Sequence, residues 1–242
     1  NGNITLDIDN NYTPETTGVS VEKVWSDNNN QDGKRPESIT VQLYKKVDNV
    51  TSLVENSAVV LNESNGWKNS WSGLDAYENG KAITYLVDEV SVPTGYAKSI
   101  DGNQTKYIIT NTHTPEKTSI SGSKTWTDNN NQDGKRPASI TIRLYADGVA
   151  VEDQVKTVTA EDGWNWTFAN LPVYNNGQKI TYTIKEDAVD GYTTEIKGFD
   201  VENTHTSEKV DISGSKTWND ENNQDGKRPE SITVHLLANG IE

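Results

Sequence analysis

Three observations in the 242-residue chain predict an all-β fold of tandem sandwiches. The patterned segments are built from Thr, Val, Ile, Tyr and Trp, residues that suit a pleated, half-buried surface. Within them apolar and polar residues alternate, the two-residue period of a strand with one face inward, and no window carries the period of a useful amphipathic helix. Clusters of Gly, Asn and Asp divide the segments into short strands, as in a β-sandwich or barrel.

Taken in order, the elements repeat. The string NNNQDGKRP occupies residues 28–36 and 129–137, and ENNQDGKRP occupies 221–229. Each copy follows a Lys-x-Trp strand and precedes a strand reading SITVQLY, SITIRLY or SITVHLL. Lys23, Lys124 and Lys216 are separated by 101 and 92 residues, a period of whole domains rather than of solenoid repeats. After a variable stretch come a Gly-Trp strand (Gly66-Trp67, Gly163-Trp164), a Gly-containing turn and a strand ending in Glu. A Gly-Tyr segment (Gly95-Tyr96, Gly191-Tyr192) and a last strand running into Asn-Thr-His-Thr close the unit. Complete units are expected at 17–114 and 115–206. Residues 1–16 read as the closing strand of a preceding repeat, with Ile4, Leu6, Ile8 and Asn10 on one face. Residues 207–242 read as the opening strands of a following repeat, with Lys216 but no matching acid or Asn. Neither Asn10 nor Lys216 is expected to be crosslinked in this chain, and both end segments are expected to be less ordered than the complete units. Short linkers such as THTPEKT favour a stiff succession over flexibly tethered beads.

Composition narrows the function. The net charge is −14 and no run of Lys or Arg exceeds two, which argues against nucleic acid, because phosphate neutralisation needs a basic face. The acidity reads as solubility. No apolar stretch approaches membrane-span length, and no signal peptide is visible at the start; targeting and anchoring segments would lie outside this chain. There are no cysteines, so a small extracellular β domain of this kind lacks the usual disulfide staple and must be held another way.

Strand parity suggests the other way. Lys23 shares a face with Val19, Val21 and Trp25; Glu89 with Ile83, Tyr85 and Val87; Asn111 with Tyr107 and Ile109. The second unit repeats this with Lys124, Glu186 and Asn203. One amine, one carboxyl and one carboxamide thus point inward in each repeat. Burying an ammonium or carboxylate alone costs many kcal/mol, and each residue by itself reads best as an inward charge or a buried ion pair. The joint recurrence favours a covalent outcome. An apolar site lowers the Lys pKa and raises the Glu pKa, giving a neutral nucleophile and a neutral acid. The acid can polarise the Asn carboxamide and shuttle protons as ammonia leaves, and folding supplies the proximity.

The segments VEKVWSDNNNQDGKRPESITVQLY and GSKTWTDNNNQDGKRPASITIRLY, with ITYTIKE and VENTHT, closely resemble the B-type repeat domains of Gram-positive collagen adhesins. The resemblance covers nearly the whole chain. It implies seven-stranded, inverse immunoglobulin-like (prealbumin-like) sandwiches that serve as the stalk of an extracellular, wall-anchored adhesin. It also implies an intramolecular Lys–Asn isopeptide bond assisted by Glu or Asp, a role carried over to Lys23, Glu89 and Asn111 and to Lys124, Glu186 and Asn203. Asp88 adjoins Glu89 but has outward parity. The partners implied are adjacent repeats and a host matrix ligand met through a domain elsewhere. No cofactor is expected.

Other constellations are weaker. Asn28, Asn30 and Asp32 alternate before Gly33 like oxygen ligands of a calcium loop, but Ile39 stands where a closing Glu is needed, and Lys34 and Arg35 add positive charge. A turn is the better reading, and no metal is expected. Trp67 and Trp71, with Trp164, Trp166 and Phe168, read as core rather than as a sugar platform. His113 and His205 lack a second metal-ligating neighbour. The rival functions are a matrix- or glycan-binding module acting through loops or aromatics, and a calcium-stiffened adhesion array. Turnover catalysis ranks last, since the proposed chemistry consumes its own residues.

Overall fold

The computed structural model describes residues 2–242, which divide into two compact units, one through His205 and one spanning Thr206–Glu242. The first unit holds two β-sandwiches. In the first sandwich the chain runs through β1 (Thr16–Ser26), β2 (Ser38–Val47), β3 (Val50–Leu53), β4 (Val59–Asn62) and β5 (Lys68–Asp75). It continues through the hairpin β6 (Tyr77–Glu78) and β7 (Lys81–Ala82), then β8 (Thr84–Glu89), β9 (Ala97–Asn103) and β10 (Lys106–Thr112). One sheet has the order β5-β1-β10-β9; in the other, β2 is paired by β3, β4 and β8. The first and last long strands, β1 and β10, are parallel neighbours, with Lys23 opposite Ile109 and Trp25 opposite Asn111.

The second sandwich repeats the plan with β11 (Lys117–Thr127), β12 (Ser139–Ala146), β13 (Val149–Thr159) and β14 (Asn165–Pro172). The hairpin β15 (Tyr174–Asn175) and β16 (Gln178–Lys179) follows, then β17 (Tyr182–Glu186), β18 (Thr193–Lys197) and β19 (Asp200–Thr204). Its sheets are β14-β11-β19-β18 and β13-β12-β17, again with the first and last strands parallel. Seven principal strands are therefore found only here. In the first sandwich the stretch matching β13 is broken into β3 and β4 around buried Ser57, whose Oγ accepts the Leu43 N–H (3.0 Å) and donates to Val54 O (2.6 Å).

Alternation produces the cores. Val19, Val21 and Ile109 on one sheet meet Val41, Leu43 and Val87 on the other. Ile120, Phe168 and Val201 meet Ile142, Leu144 and Ile184 in the second sandwich. Each such side chain contributes about 2 kcal/mol on burial. Trp166 and Phe168 are core residues as expected; Trp71 is half-buried, its indole N–H donating to Ser57 O at 3.0 Å.

Three expectations need correction. Trp67 and Trp164 do not alternate within a strand: they have φ of 60° and 58°, directly after Gly66 and Gly163, and form the second half of a left-handed turn preceding β5 and β14. Residues 2–15 form no closing strand, and Ile4, Leu6 and Ile8 are exposed. Residues 206–242 form no opening strands beyond an isolated bridge between Ala238 and Ile241. A strand needs a ladder partner and a face to bury, and neither end segment finds them within this chain.

The NNNQDGKRP loop is a left-handed turn. Asn28, Asn29 and Asn30 have φ of 52°, 58° and 60°, and Asn129, Asn130 and Asn131 repeat the run. Asn tolerates this region better than other side-chain-bearing residues. Asp27 caps the turn, accepting the Asn30 N–H at 2.9 Å, and Asn30 Oδ1 accepts the Arg35 N–H at 2.9 Å.

Candidate cross-linking site

Each trio is assembled from both sheets. β1 and β10 carry Lys23 and Asn111 side by side on one sheet; β8 brings Glu89 from the facing sheet, where it pairs with Val41. β11, β19 and β17 place Lys124, Asn203 and Glu186 in the same way. Lys23, Glu89, Asn111, Lys124 and Asn203 are all buried, and the Glu186 side chain is fully enclosed.

In the first sandwich Asn111 Nδ2 donates to Glu89 Oε1 at 3.1 Å. Lys23 Nζ donates to Val24 O at 3.0 Å and Ile109 O at 3.5 Å. Glu89 Oε2 and Asn111 Oδ1 have no hydrogen-bond partner. In the second, Lys124 Nζ lies 3.1 Å from Glu186 Oε1, but the contact lacks hydrogen-bond alignment and both atoms are otherwise unpartnered, as are both polar atoms of the Asn203 side chain. Thr194 Oγ1 donates to Glu186 Oε2 at 2.9 Å. Buried polar groups in proteins are normally satisfied, so these two clusters stand out from their surroundings.

Burial sets the protonation states. It pulls the Lys23 amine down to about 8, against the charges of Glu89 and Asp27. It pushes the Glu89 carboxyl up, against the Asn111 hydrogen bond and the Lys23 charge. Lys124 is likewise pulled down by burial, opposed by Glu186. In the first sandwich amine and acid thus both move toward their neutral forms. Indoles close the amine side: the Trp25 ring centroid is 4.1 Å from Lys23 Nζ, and that of Trp126 is 4.5 Å from Lys124 Nζ. Trp67 and Tyr96 pack edge-on to Trp25 at 5.3 and 5.1 Å, and Trp164 and Tyr192 repeat this around Trp126. These aromatics form a wall over the amine and leave no exposed stacking platform there.

Asp88 lies outside the cluster, paired with Lys98. Asn10 and Lys216 are exposed and outside any strand; Lys216 Nζ donates to Thr217 O at 2.6 Å.

Two sets of residues were not singled out by sequence reasoning. Arg35 forms a bidentate pair with Asp27 (3.0 and 2.6 Å), to which Tyr96 also donates at 2.8 Å, and Arg136, Asp128 and Tyr192 repeat it. His113 Nε2 lies 2.8 Å from Asp32 Oδ2 and its Nδ1 2.8 Å from Gly95 O; His205, Asp133 and Gly191 match. Their recurrence at fixed offsets is the available signal; read singly, the histidines suggest neither a metal nor a catalytic role, and a structural tie to an Asp is not evident from spacing. Asn30 Oδ1 accepts the Arg35 N–H, and Asp32 Oδ2 accepts the Glu116 N–H and faces His113 Nε2. Among the described residues no group of three His, Cys, Asp or Glu is placed to hold a metal.

A sequence model of the Cna protein B-type domain matches residues 19–112, 120–204 and 212–242. The collagen adhesin of Staphylococcus aureus is 45% identical over 236 residues, which cover 96% of this chain and 19% of that protein. The crystal structure of two B repeat units of the S. aureus collagen binding protein is 44% identical with a TM-score of 0.72, covering 90% of this chain and 57% of that one. A single B repeat unit of the same protein is 36% identical with a TM-score of 0.37, covering 80% of this chain and all of that one.

Proposed function

The chain belongs to the Cna protein B-type domain family, whose repeats are structural and non-enzymatic, and from that premise we propose that it is part of a cell-surface adhesin stalk sealed by internal amide bonds. In each sandwich the Lys Nζ attacks the Asn Cγ, forming a C–N bond while the Cγ–Nδ2 bond breaks. The protonated Glu delivers its proton to the departing nitrogen and receives one from Nζ, so the products are a secondary amide and ammonia and the Glu is regenerated. Lys23 with Asn111 and Lys124 with Asn203 are the bonded pairs; Glu89 and Glu186 are the shuttles. The observation that carries the reading is the twofold recurrence of a buried amine and carboxamide on parallel neighbouring strands, with a buried carboxyl across the core.

The stalk holds a ligand-binding head away from the wall of a Gram-positive bacterium. Head and anchor lie elsewhere in a longer protein, and a matrix protein such as collagen is the head's ligand. Direct matrix or glycan binding by the repeats is less well supported, because the clustered tryptophans serve as walls and core. The test is intact mass under denaturing conditions. The chain is expected to be lighter than its sequence by two ammonias, and Lys23→Ala or Glu89→Ala should restore one. An unmodified mass would overturn the proposal.

A further inference from the structure

The loop that follows each Lys strand also meets the next sandwich. Gln31 O accepts the Gly177 N–H at 3.0 Å, and Gly177 is the tip of the Asn-Gly hairpin β15–β16. The two backbones touch without side chains: a Cβ on Gly33 would stand 2.5 Å from Gly177 Cα, and one on Gly177 would stand 3.0 Å from Gly33 Cα. Around this contact Asp32 Oδ2 accepts the Glu116 N–H at 2.9 Å, and Lys34 pairs with Glu116 at 2.6 Å, tying the loop to the linker into β11.

Both halves of the contact recur. The first sandwich has its own Asn-Gly hairpin, with Asn79 and Gly80 at φ of 51° and 75°, against 49° and 76° for Asn176 and Gly177. The second sandwich has its own loop, with Gly134 at φ of 67° against 68° for Gly33. Neither Gly80 nor Gly134 has any atom within 4 Å of where a Cβ would stand. Each sandwich therefore carries a socket and a plug, and in this chain one pair is joined while one of each is open.

We propose that the NNNQDGKRP loop is a docking socket for the Asn-Gly hairpin of the repeat that follows it, and that the loop around Gly134 accepts the hairpin of a further complete copy. The occupant is identified by continuity with the joint already made between β15–β16 and the Gly33 loop. Glycine is required on both sides because the backbones meet directly. The joint is independent of the amide bonds: the mass measurement above leaves it untouched, and the following measurement leaves the amides untouched.

The chain has no cysteine, so labels can be placed uniquely. Spin labels at Ser52→Cys and Glu152→Cys report the distance between the first and second sandwiches in the full chain by double electron–electron resonance. Gly33→Ala and Gly134→Ala strain the backbone equally, since both sit at nearly the same positive φ, but only the first meets a neighbour. Wild type should give one narrow distribution, Gly33→Ala a broadened or shifted one, and Gly134→Ala the wild-type one. In a second protein, residues 207–242 are replaced by a further copy of residues 115–206, and a label pair spans the new junction. There the distribution should be narrow, and Gly134→Ala should now broaden it. A Gly33→Ala chain indistinguishable from wild type, equal broadening by Gly134→Ala in the original chain, or a broad new junction would each overturn the proposal.

Discussion

Two buried ionisable side chains in the first sandwich make stability rise with pH in two separate windows, for opposite reasons. Asp27 is buried and its pKa is lowered to about 2; desolvation opposes the shift, while Arg35, the Asn30 N–H and Tyr96 outweigh it. A folded pKa below the unfolded 3.8 means stability that is present above pH 3.8 and lost as pH falls toward 2, about 2 kcal/mol in all. Asp27→Asn should therefore lose about that much at pH 7 and unfold with a shallower acid dependence between pH 4 and 2, measured by denaturant titration. Lys23 gives a slope of the same sign at higher pH, because burial disfavours its charged form where Asp27's partners favour its own. An amine lowered from 10.5 to about 8 leaves the folded state binding fewer protons than the unfolded one between those values, so stability rises with pH across that window. Asn111→Ala keeps the amine but removes its acyl partner. Relative to wild type, its stability should climb between pH 8 and 10.5; parallel curves would mean that the wild-type amine is still free. The histidines follow from geometry. Both ring nitrogens of His113 face acceptors, Gly95 O and Asp32, so the doubly protonated ring is the one that fits, in line with a pKa raised first by the Asp32 hydrogen bond. Its contribution is full below pH 6.5 and declines as pH rises through the folded value.

At the scale of the element, the left-handed Asn run tests why this loop is spelled as it is. Asn29 is exposed and sits at φ 58°. Asn29→Ala should cost about 1 kcal/mol and Asn29→Gly close to nothing, because the penalty is the clash of Cβ with backbone in this region. Equal effects in thermal melts would show that the turn is held by something other than backbone preference. The same loop marks how far the sequence could be read. Strand alternation predicted β1, β2, β8 and β10 and the inward parity of Lys23, Glu89 and Asn111, because a two-residue period leaves only two faces. It could not predict that β1 and β10 are parallel neighbours while Glu89 comes from the opposite sheet, since pairing is a long-range choice that periodicity does not encode. It misplaced Trp67, because a Gly-Trp pair followed by alternating residues looks like the start of a strand when Trp67 has turned left-handed. It expected strands at both ends, where the alternation is present but no pairing partner is.

On the scale of the whole molecule, each proposed amide closes a loop of most of a sandwich, and loop-closure estimates for spans of this length are about 4 kcal/mol. Lys124→Ala should lower the melting temperature of the second sandwich while leaving the first unchanged, resolved by pulse proteolysis during a thermal ramp. Limited proteolysis of the wild type should trim residues 2–15 and 206–242 first, where backbone is not tied into a sheet. The parallel pairing of β1 and β10 has a further consequence, which concerns tension. The chain enters the first sandwich at Thr16 and leaves it at Thr112, at opposite ends of two adjacent strands, so pulling on the chain shears their ladder. With an amide between Lys23 and Asn111, force passes along β1 as far as Lys23, crosses one covalent bond and exits through the end of β10. Every residue between them, including the whole facing sheet, lies off the path. A stretched wild-type sandwich should release no hidden length from that segment, whereas Lys23→Ala should yield roughly 300 Å of new contour length in a single step.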